Sequence, residues 1–542
     1  MSRTTVYAAR KIITMDPTLP EATHVAVRDG RILAVGGAGC AAPWGEFDRD
    51  DRYRDAVLMP GFVEGHAHMM AGAMWNYTYA GYQDRIDPDG RRWEGLTDIA
   101  GVMAGLKRAL AGLPAGKPLI AWGFDPIFLP SERLNRRHLD EVATDRPVVV
   151  LHSNFHLMTA NSAALTVAGY NRDTNAVGVA RFEDGEPNGE LQEMAAMFPL
   201  MRRLGMDLRG MARTEGAMRS FARTAMRVGV TTSTDLMSEL PDEDIAGLTA
   251  ATGRDDFPLR LVPALAGVAR SPEAVAARVA ELRGRSTDKL RLGAVKLMAD
   301  GSIQGYTGRL KWPGYVTGHP NGIWNTAPDQ LREQIVHLHR EGVQMHIHVN
   351  GDEASEAALD ALEEAQARHP RLDHRHTLQH CQMADEAQFR RMAALGACVN
   401  LFANHIWYFG DQHYERTVGP ERAMRLNACA SALRHGVPLA IHSDAPVTPM
   451  GPLHVAWCAA NRLTPSGRVL GEAQRIPVAA ALHAITLGAA YTLKLDGEIG
   501  SVEVGKKADF AVLGEDPVSV PAAQLRDVPV LGTIVGGHHF PV

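Results

Sequence analysis

Cysteine is scarce in this chain and scattered. The five residues, Cys40, Cys381, Cys398, Cys429 and Cys458, are odd in number and form no Cys-x-x-Cys pair. That argues against a disulfide framework or a thiolate zinc site, and for a reducing compartment, so a cytoplasmic location is expected. Long apolar runs are missing too. No stretch approaches the roughly 18 residues of a membrane span, and MSRTTVYAARKIITMD at the start has no apolar core before a small-residue cleavage site. No membrane association is therefore expected. Excess charge is also absent: a net charge of -6 gives no footprint for nucleic acid. Internal repeats and low-complexity tracts are not found.

What is present is a soluble, enzyme-sized composition. The 542 residues, 45% hydrophobic and 22% charged, are too many for one core and suffice for two or three units. Both ends read as β-structure. Thr4 to Met15 is β-rich, and Asp29-Gly30 joins two alternating apolar runs, a strong hairpin signal. Near the other end, 499–505, 508–513 and 530–535 read as short strands split by glycines. The expectation is a small β-sandwich domain composed of residues 1–58 and 496–542.

The middle, residues 59–495, alternates apolar strands with helical stretches. Strand candidates end at or near His66, Asp235, Ala264, Met298, His348, His380, Leu401 and His442, and helices are predicted over 330–341 and 353–368. Eight strands in this βα rhythm predict an α/β fold, a (β/α)8 TIM-like barrel. One spacing is too long for a βα unit of roughly 30 residues. It predicts a large insertion after the first barrel strand, over about 75–211, with its own strand at 147–152 and many aromatics, among them Trp75.

The 23 histidines stand out, and several fall at predicted strand ends, where barrel enzymes carry their chemistry. His66 and His68, as i and i+2 on a strand, point to the same side. Alone, a His-x-His is weak evidence for a metal, because histidine is also a common hydrogen-bonded residue. With Lys296, His348, His380 and Asp444 on separate βα units, the set is far more specific. Imidazole and carboxylate suit zinc and similar divalent ions. His346 and His376, deeper on their strands, read as packed or supporting residues.

In order, this set resembles the amidohydrolase superfamily, and its amidohydrolase-3 or YtcJ-like group. The resemblance spans nearly the whole chain. It includes Pro60-Gly61-Phe62 before the His-x-His, Asn161-Ser162, Lys296 through Ser302, His348 with Gly351-Asp352, Gly419-Pro420-Glu421-Arg422, Ser443-Asp444-Ala445-Pro446 and Gly505 through Asp509. It implies that His66 and His68 hold one metal ion, and that His348 and His380 hold a second. Lys296, carboxylated by carbon dioxide, would bridge the two. Asp444 would bind the first ion and act as general base and then general acid. Zinc is the default ion. Water bound to such an ion falls in pKa from roughly 15.7 to about 7, so a metal-bound hydroxide attacks a carbonyl carbon and an amide-type C–N bond of a small molecule is cleaved. A homo-oligomer, with a dimer favoured, is expected.

Four features depart from the group's pattern: His442 before Ser443-Asp444, Gln379 before His380, Asn154-Phe155 before His156, and Asn400-Leu401 on the seventh strand. They fall where substrate should lie. His156, Trp75, His405 and Trp407 are the candidate substrate contacts. A mononuclear-metal deaminase of a cyclic amidine is the alternative activity; Lys296 at a strand end argues against it. A metal-free binding protein on the same scaffold is the third possibility, and a metal count separates all three.

Overall fold

The computed structural model describes residues 3–129 and 133–542. They fall into two compact units. The first is Met1–His68, Ala222–Ala445 and Met450–Val542; the second is Met69–Phe221 with Pro446–Pro449.

At the centre of the first unit is an eight-stranded sheet: β1 (Phe62–Glu64), β2 (Val230–Ser238), β3 (Arg260–Ala266), β4 (Ala294–Met298), β5 (Gln344–Val349), β6 (Thr377–His380), β7 (Cys398–Leu401) and β8 (Leu439–Ile441). Neighbours follow chain order from β1 to β8, and every pair is parallel. These are the eight segments that the apolar rhythm predicts. The two predicted helices are Pro328–Arg340 and Asp352–Arg368. A strand covered on both faces is buried throughout, and β5 is buried at every residue, its glutamine and two histidines included. The sheet curls until its edges meet. Ala67 and Ala445 form a parallel bridge, with His68 N–H donating to Ala445 O (2.8 Å) and Asp444 N–H to His66 O (3.0 Å). The arrangement is consistent with a TIM-like barrel.

The same unit contains a sheet built from both termini. Its seven strands join in one hydrogen-bonded sheet rather than two: His538–Pro541, Val530–Val535, Phe510–Leu513, Phe47–Pro60, Thr4–Ile13, Glu21–Arg28 and Arg31–Gly36, in that spatial order. The hairpin at Asp29-Gly30 is present. Both residues have positive φ, 52° and 71°, as a two-residue primed turn requires. A side chain at Gly30 would also meet the Gly536 carbonyl at 3.1 Å. The expected strand at 499–505 is absent. Gly500 and Gly505 both take φ of +90°, which breaks an extended run, and Val502 instead donates its N–H to Thr14 O.

The second unit is the insertion. Its six-stranded sheet contains Val148–His152, flanked by Leu119–Phe124 and Leu157–Ala160. Trp122 and Tyr79 are buried in its apolar core, and Trp75, Tyr77 and Trp93 pack against it. The unit runs wider than 75–211. It also takes in Pro446–Pro449, where Val447 O accepts from Arg85 Nη2 at 2.8 Å. Among the described residues no helix is long and apolar enough to cross a membrane.

Candidate metal centre

At the C-terminal ends of the barrel strands, the side chains of His66, His68, His380 and Asp444 converge. His68 Nε2 is 3.1 Å from Asp444 Oδ1, His66 Nε2 is 3.4 Å from the same oxygen, and His380 Nδ1 is 3.7 Å from Asp444 Oδ2. Two of these residues hold unusual backbone. His380 and Asp444 have φ of +68° and +54°, a region that non-glycine residues enter at a cost of about 1–3 kcal/mol. A strand that simply continued would aim both side chains elsewhere.

The proton on each imidazole can be assigned from its neighbours. His68 Nδ1 lies 2.6 Å from Leu236 O, which only accepts, so Nδ1 carries the proton and Nε2 the lone pair. His66 Nδ1 lies 2.7 Å from Gln379 Oε1, an oxygen that also accepts from Asn400 Nδ2 at 3.0 Å, while Gln379 Nε2 donates to His346 Nδ1 at 2.8 Å. His66 Nε2 is therefore a lone pair as well. Two lone pairs face a carboxylate oxygen at hydrogen-bonding distance. That arrangement repels unless a cation or proton stands among them. His380 Nδ1 and Asp444 Oδ1 are buried and make no hydrogen bond. The donor set thus fits a divalent cation, with supporting partners of the kind that orient metal-binding histidines.

Lys296 reaches the same point. Its Nζ is buried, 3.3 Å from His66 Nε2. Burial lowers its pKa to about 7, against the opposing pull of Asp444, so much of it is a neutral amine near neutral pH. Burial would raise the Asp444 carboxyl, but His68, His442 and Lys296 outweigh it and hold the group below its ordinary value. His348 is placed differently. Its ring lies 4.5 Å from that of His380, yet Nε2 is turned toward Gly301 O at 3.2 Å. Asn350 Nδ2 lies at the same distance from Nε2, 3.2 Å.

Beneath this cluster sits Glu64, fully buried. It accepts from Ser443 Oγ (2.6 Å), Ser443 N (3.2 Å) and His66 N (3.3 Å). Burial pushes its carboxyl up to about 7, with the Ser443 bonds opposing. A second chain of bonds runs outward. Asn350 Nδ2 donates to Gly301 O at 2.7 Å, Gln382 Nε2 to Asn350 Oδ1 at 2.6 Å, and His405 Nδ1 to Gln382 Oε1 at 3.0 Å. Because Gly301 O only accepts, every orientation follows, and His405 Nε2 is left as a buried acceptor with no partner. Sequence reasoning missed Glu64, Gln382 and Asn350; the signal available was their spacing of two residues from His66, His380 and His348.

The four candidate substrate contacts have different surroundings. His405 stacks on Phe402 at 3.5 Å between ring centroids. Trp407 is two residues on in the helix His405–Gln412, about 200° around its axis. It packs instead on Trp457 (5.4 Å) and under Arg526, so the two cannot face one ligand. In the second unit, Trp75 packs edge-on to Trp122 at 5.3 Å, and His156 Nδ1 pairs with Glu193 Oε2 at 2.9 Å. Phe155 and Glu193 beside that pair both hold positive φ, 58° and 60°. His346 and His376 are packed: His346 accepts from Gln379, and His376 Nε2 lies 2.9 Å from His339 Nδ1.

Known proteins resemble this chain in sequence or in fold. A putative amidohydrolase, YtcJ, of Bacillus subtilis (strain 168) is 26% identical over 89% of this chain and 88% of its own length. N-substituted formamide deformylase of Arthrobacter pascens is 27% identical over 97% of this chain and 96% of its own. The crystal structure of an uncharacterized metal-dependent hydrolase from Pyrococcus horikoshii OT3 superposes with a TM-score of 0.72, at 19% identity, over 99% of this chain and 100% of that one. The profile of the Amidohydrolase family matches residues 54–539, so the chain belongs to that family.

Proposed function

We propose that the protein hydrolyses an amide-type C–N bond of a small molecule at the centre formed by His66, His68, His380 and Asp444. The observation that carries this reading is the convergence of the His66 and His68 lone pairs on Asp444 Oδ1, at 3.4 and 3.1 Å. In this reading His66, His68 and Asp444 would hold one divalent ion. His348 and His380, with Lys296 as a carbamate between the two ions, would hold a second. Zinc suits the imidazole-rich set. Ions held there would supply Lewis acidity, lowering the pKa of a bound water and polarising a carbonyl.

The protein's own part is proton transfer and positioning. Asp444 takes a proton from the attacking water as its oxygen bonds to the carbonyl carbon, then delivers a proton to the nitrogen as the C–N bond breaks. Gln379 and Leu236 O keep His66 and His68 in the tautomer with Nε2 inward. Glu64 and Ser443 hold the Asp444 backbone against β1. The deformylase relative supports an N-substituted amide as the substrate class. The convergence on a single carboxylate also favours a second reading, the one-ion deaminase of a cyclic amidine.

Metal analysis of the purified protein, joined to turnover of a panel of N-formyl and N-acyl amines, tests this. Near two ions per chain and amide turnover support the first reading. One ion with release of ammonia from a cyclic amidine supports the second. Turnover that survives exhaustive chelation, or His68→Ala with full activity and metal, would overturn both.

A further inference from the structure

Buried polar atoms in folded proteins nearly always find a partner. Beside this centre His442 departs from that rule at both of its ring nitrogens. Its ring is 1% exposed, and neither Nδ1 nor Nε2 makes a hydrogen bond. The ring is stacked on His66 (centroids 4.7 Å apart, planes at 21°) and on Phe402 (4.5 Å, 30°), with His380 at 5.1 Å. One nitrogen each from His66, His380 and His442 lie within 4.8 Å of one another.

We propose that His442 is a further ligand of the metal centre, completing a buried set of imidazoles with His66 and His380. The inference rests on the reading of His66, His68 and Asp444 as metal ligands. Packing does not account for the residue. A phenyl ring would fill the gap between His66 and Phe402 without burying two nitrogens that water cannot reach. A hydrogen-bonding role does not account for it either, because neither nitrogen has a hydrogen-bond partner. What the position offers is an unpartnered ring nitrogen, held in place by two stacked rings, within 4.8 Å of one nitrogen of His66 and one of His380. An added imidazole also biases the choice of ion. Imidazole-rich sites favour zinc, cobalt and nickel, whereas oxygen-rich ones suit magnesium and manganese.

His442→Phe separates the roles, since it keeps the stack and removes both nitrogens. The probe is Co²⁺ loaded into the otherwise metal-free protein, read by its visible absorption and by X-ray absorption counting of imidazole ligands. The expected result is one imidazole fewer per centre, a changed cobalt spectrum, and a Zn²⁺ over Mn²⁺ preference reduced about tenfold or more. Phe402→Leu, which disturbs the same stack but removes no nitrogen, should leave the imidazole count unchanged. An unchanged imidazole count and spectrum in His442→Phe, with metal lost in His68→Ala, overturns this inference and leaves the function standing. Wild-type spectra in both variants overturn the two together.

Discussion

Ser443 Oγ donates to Glu64 Oε2 at 2.6 Å and so ties the segment after β8 to the end of β1. The bond crosses the seam where the two edges of the eight-stranded sheet meet, one residue from Asp444 and two from His66. Among the described residues a single parallel bridge, Ala67 with Ala445, closes the sheet there, and side-chain bonds add to the closure. Ser443→Ala leaves a buried carboxyl oxygen without its donor, which costs about 1–3 kcal/mol. Denaturant midpoints and Zn²⁺ affinity should fall together. A variant that loses stability but binds zinc as the wild type does would show that the seam does not position the centre.

Lys296 gives a second test. As a buried neutral amine beside His66 Nε2, it is suited to carry a carbamate, which is an anion and attracts two cations. Lys296→Ala should lose activity by a factor of about 10³ or more and lose at least one ion per chain. Added short carboxylates should restore part of both. Metal content and turnover equal to wild type would remove the bridging role.

The buried histidines away from the centre make stability depend on pH in a definite direction. Burial lowers the pKa of His152 and His413 to about 3 each. The folded state therefore keeps them neutral while the unfolded chain takes up protons below about 6.5. Their contribution is complete above that value and is lost as pH falls from about 6.5 toward 3, by about 1.4 kcal/mol per pH unit for each ring. His152 Nε2 bonds Thr159 Oγ1 at 2.9 Å. Glutamine can keep that bond without titrating, so His152→Gln should melt with a shallower loss of Tm between pH 6.5 and 5. A slope identical to wild type would mean that this ring does not titrate on unfolding.

The strands and the ligand types were legible in the sequence because both are local. A run such as Gln344 to Val349 states its own burial, and a histidine at its end states its own chemistry. The tautomers were not legible. His66 takes its orientation from Gln379, 313 residues away, and His68 from Leu236, 168 residues away. Nor was the helix His405–Gln412, because its aromatic run gives no hint that His405 and Trp407 lie on opposite sides. The strand expected at 499–505 failed for a local reason: two glycines at positive φ turned an apolar run into a loop. Pro446–Pro449 looked like barrel, and only the fold shows it packed with the insertion.

Arg260 on β3 and Asp509 beside the terminal sheet form a buried ion pair, Nε to Oδ2 at 2.5 Å and Nη2 to Oδ1 at 3.1 Å. Gly536 N–H adds a third bond to that carboxylate at 2.8 Å, and Asp288 takes the other side of the guanidinium at 2.7 Å. These carboxylates hold the Arg260 guanidinium above its ordinary pKa despite burial. Removing one partner of such a pair strands a buried charge, at about 3–5 kcal/mol, whereas replacing both by apolar groups is often nearly neutral. Arg260→Met should therefore lower the denaturation midpoint sharply, and the double variant Arg260→Met with Asp509→Leu should recover most of the loss. Metal content and turnover of the folded fraction should stay unchanged in both, since the pair lies at the N-terminal end of β3 and the centre lies at the strands' C-terminal ends. Additive losses in the double variant would show instead that the two residues stabilise the fold separately.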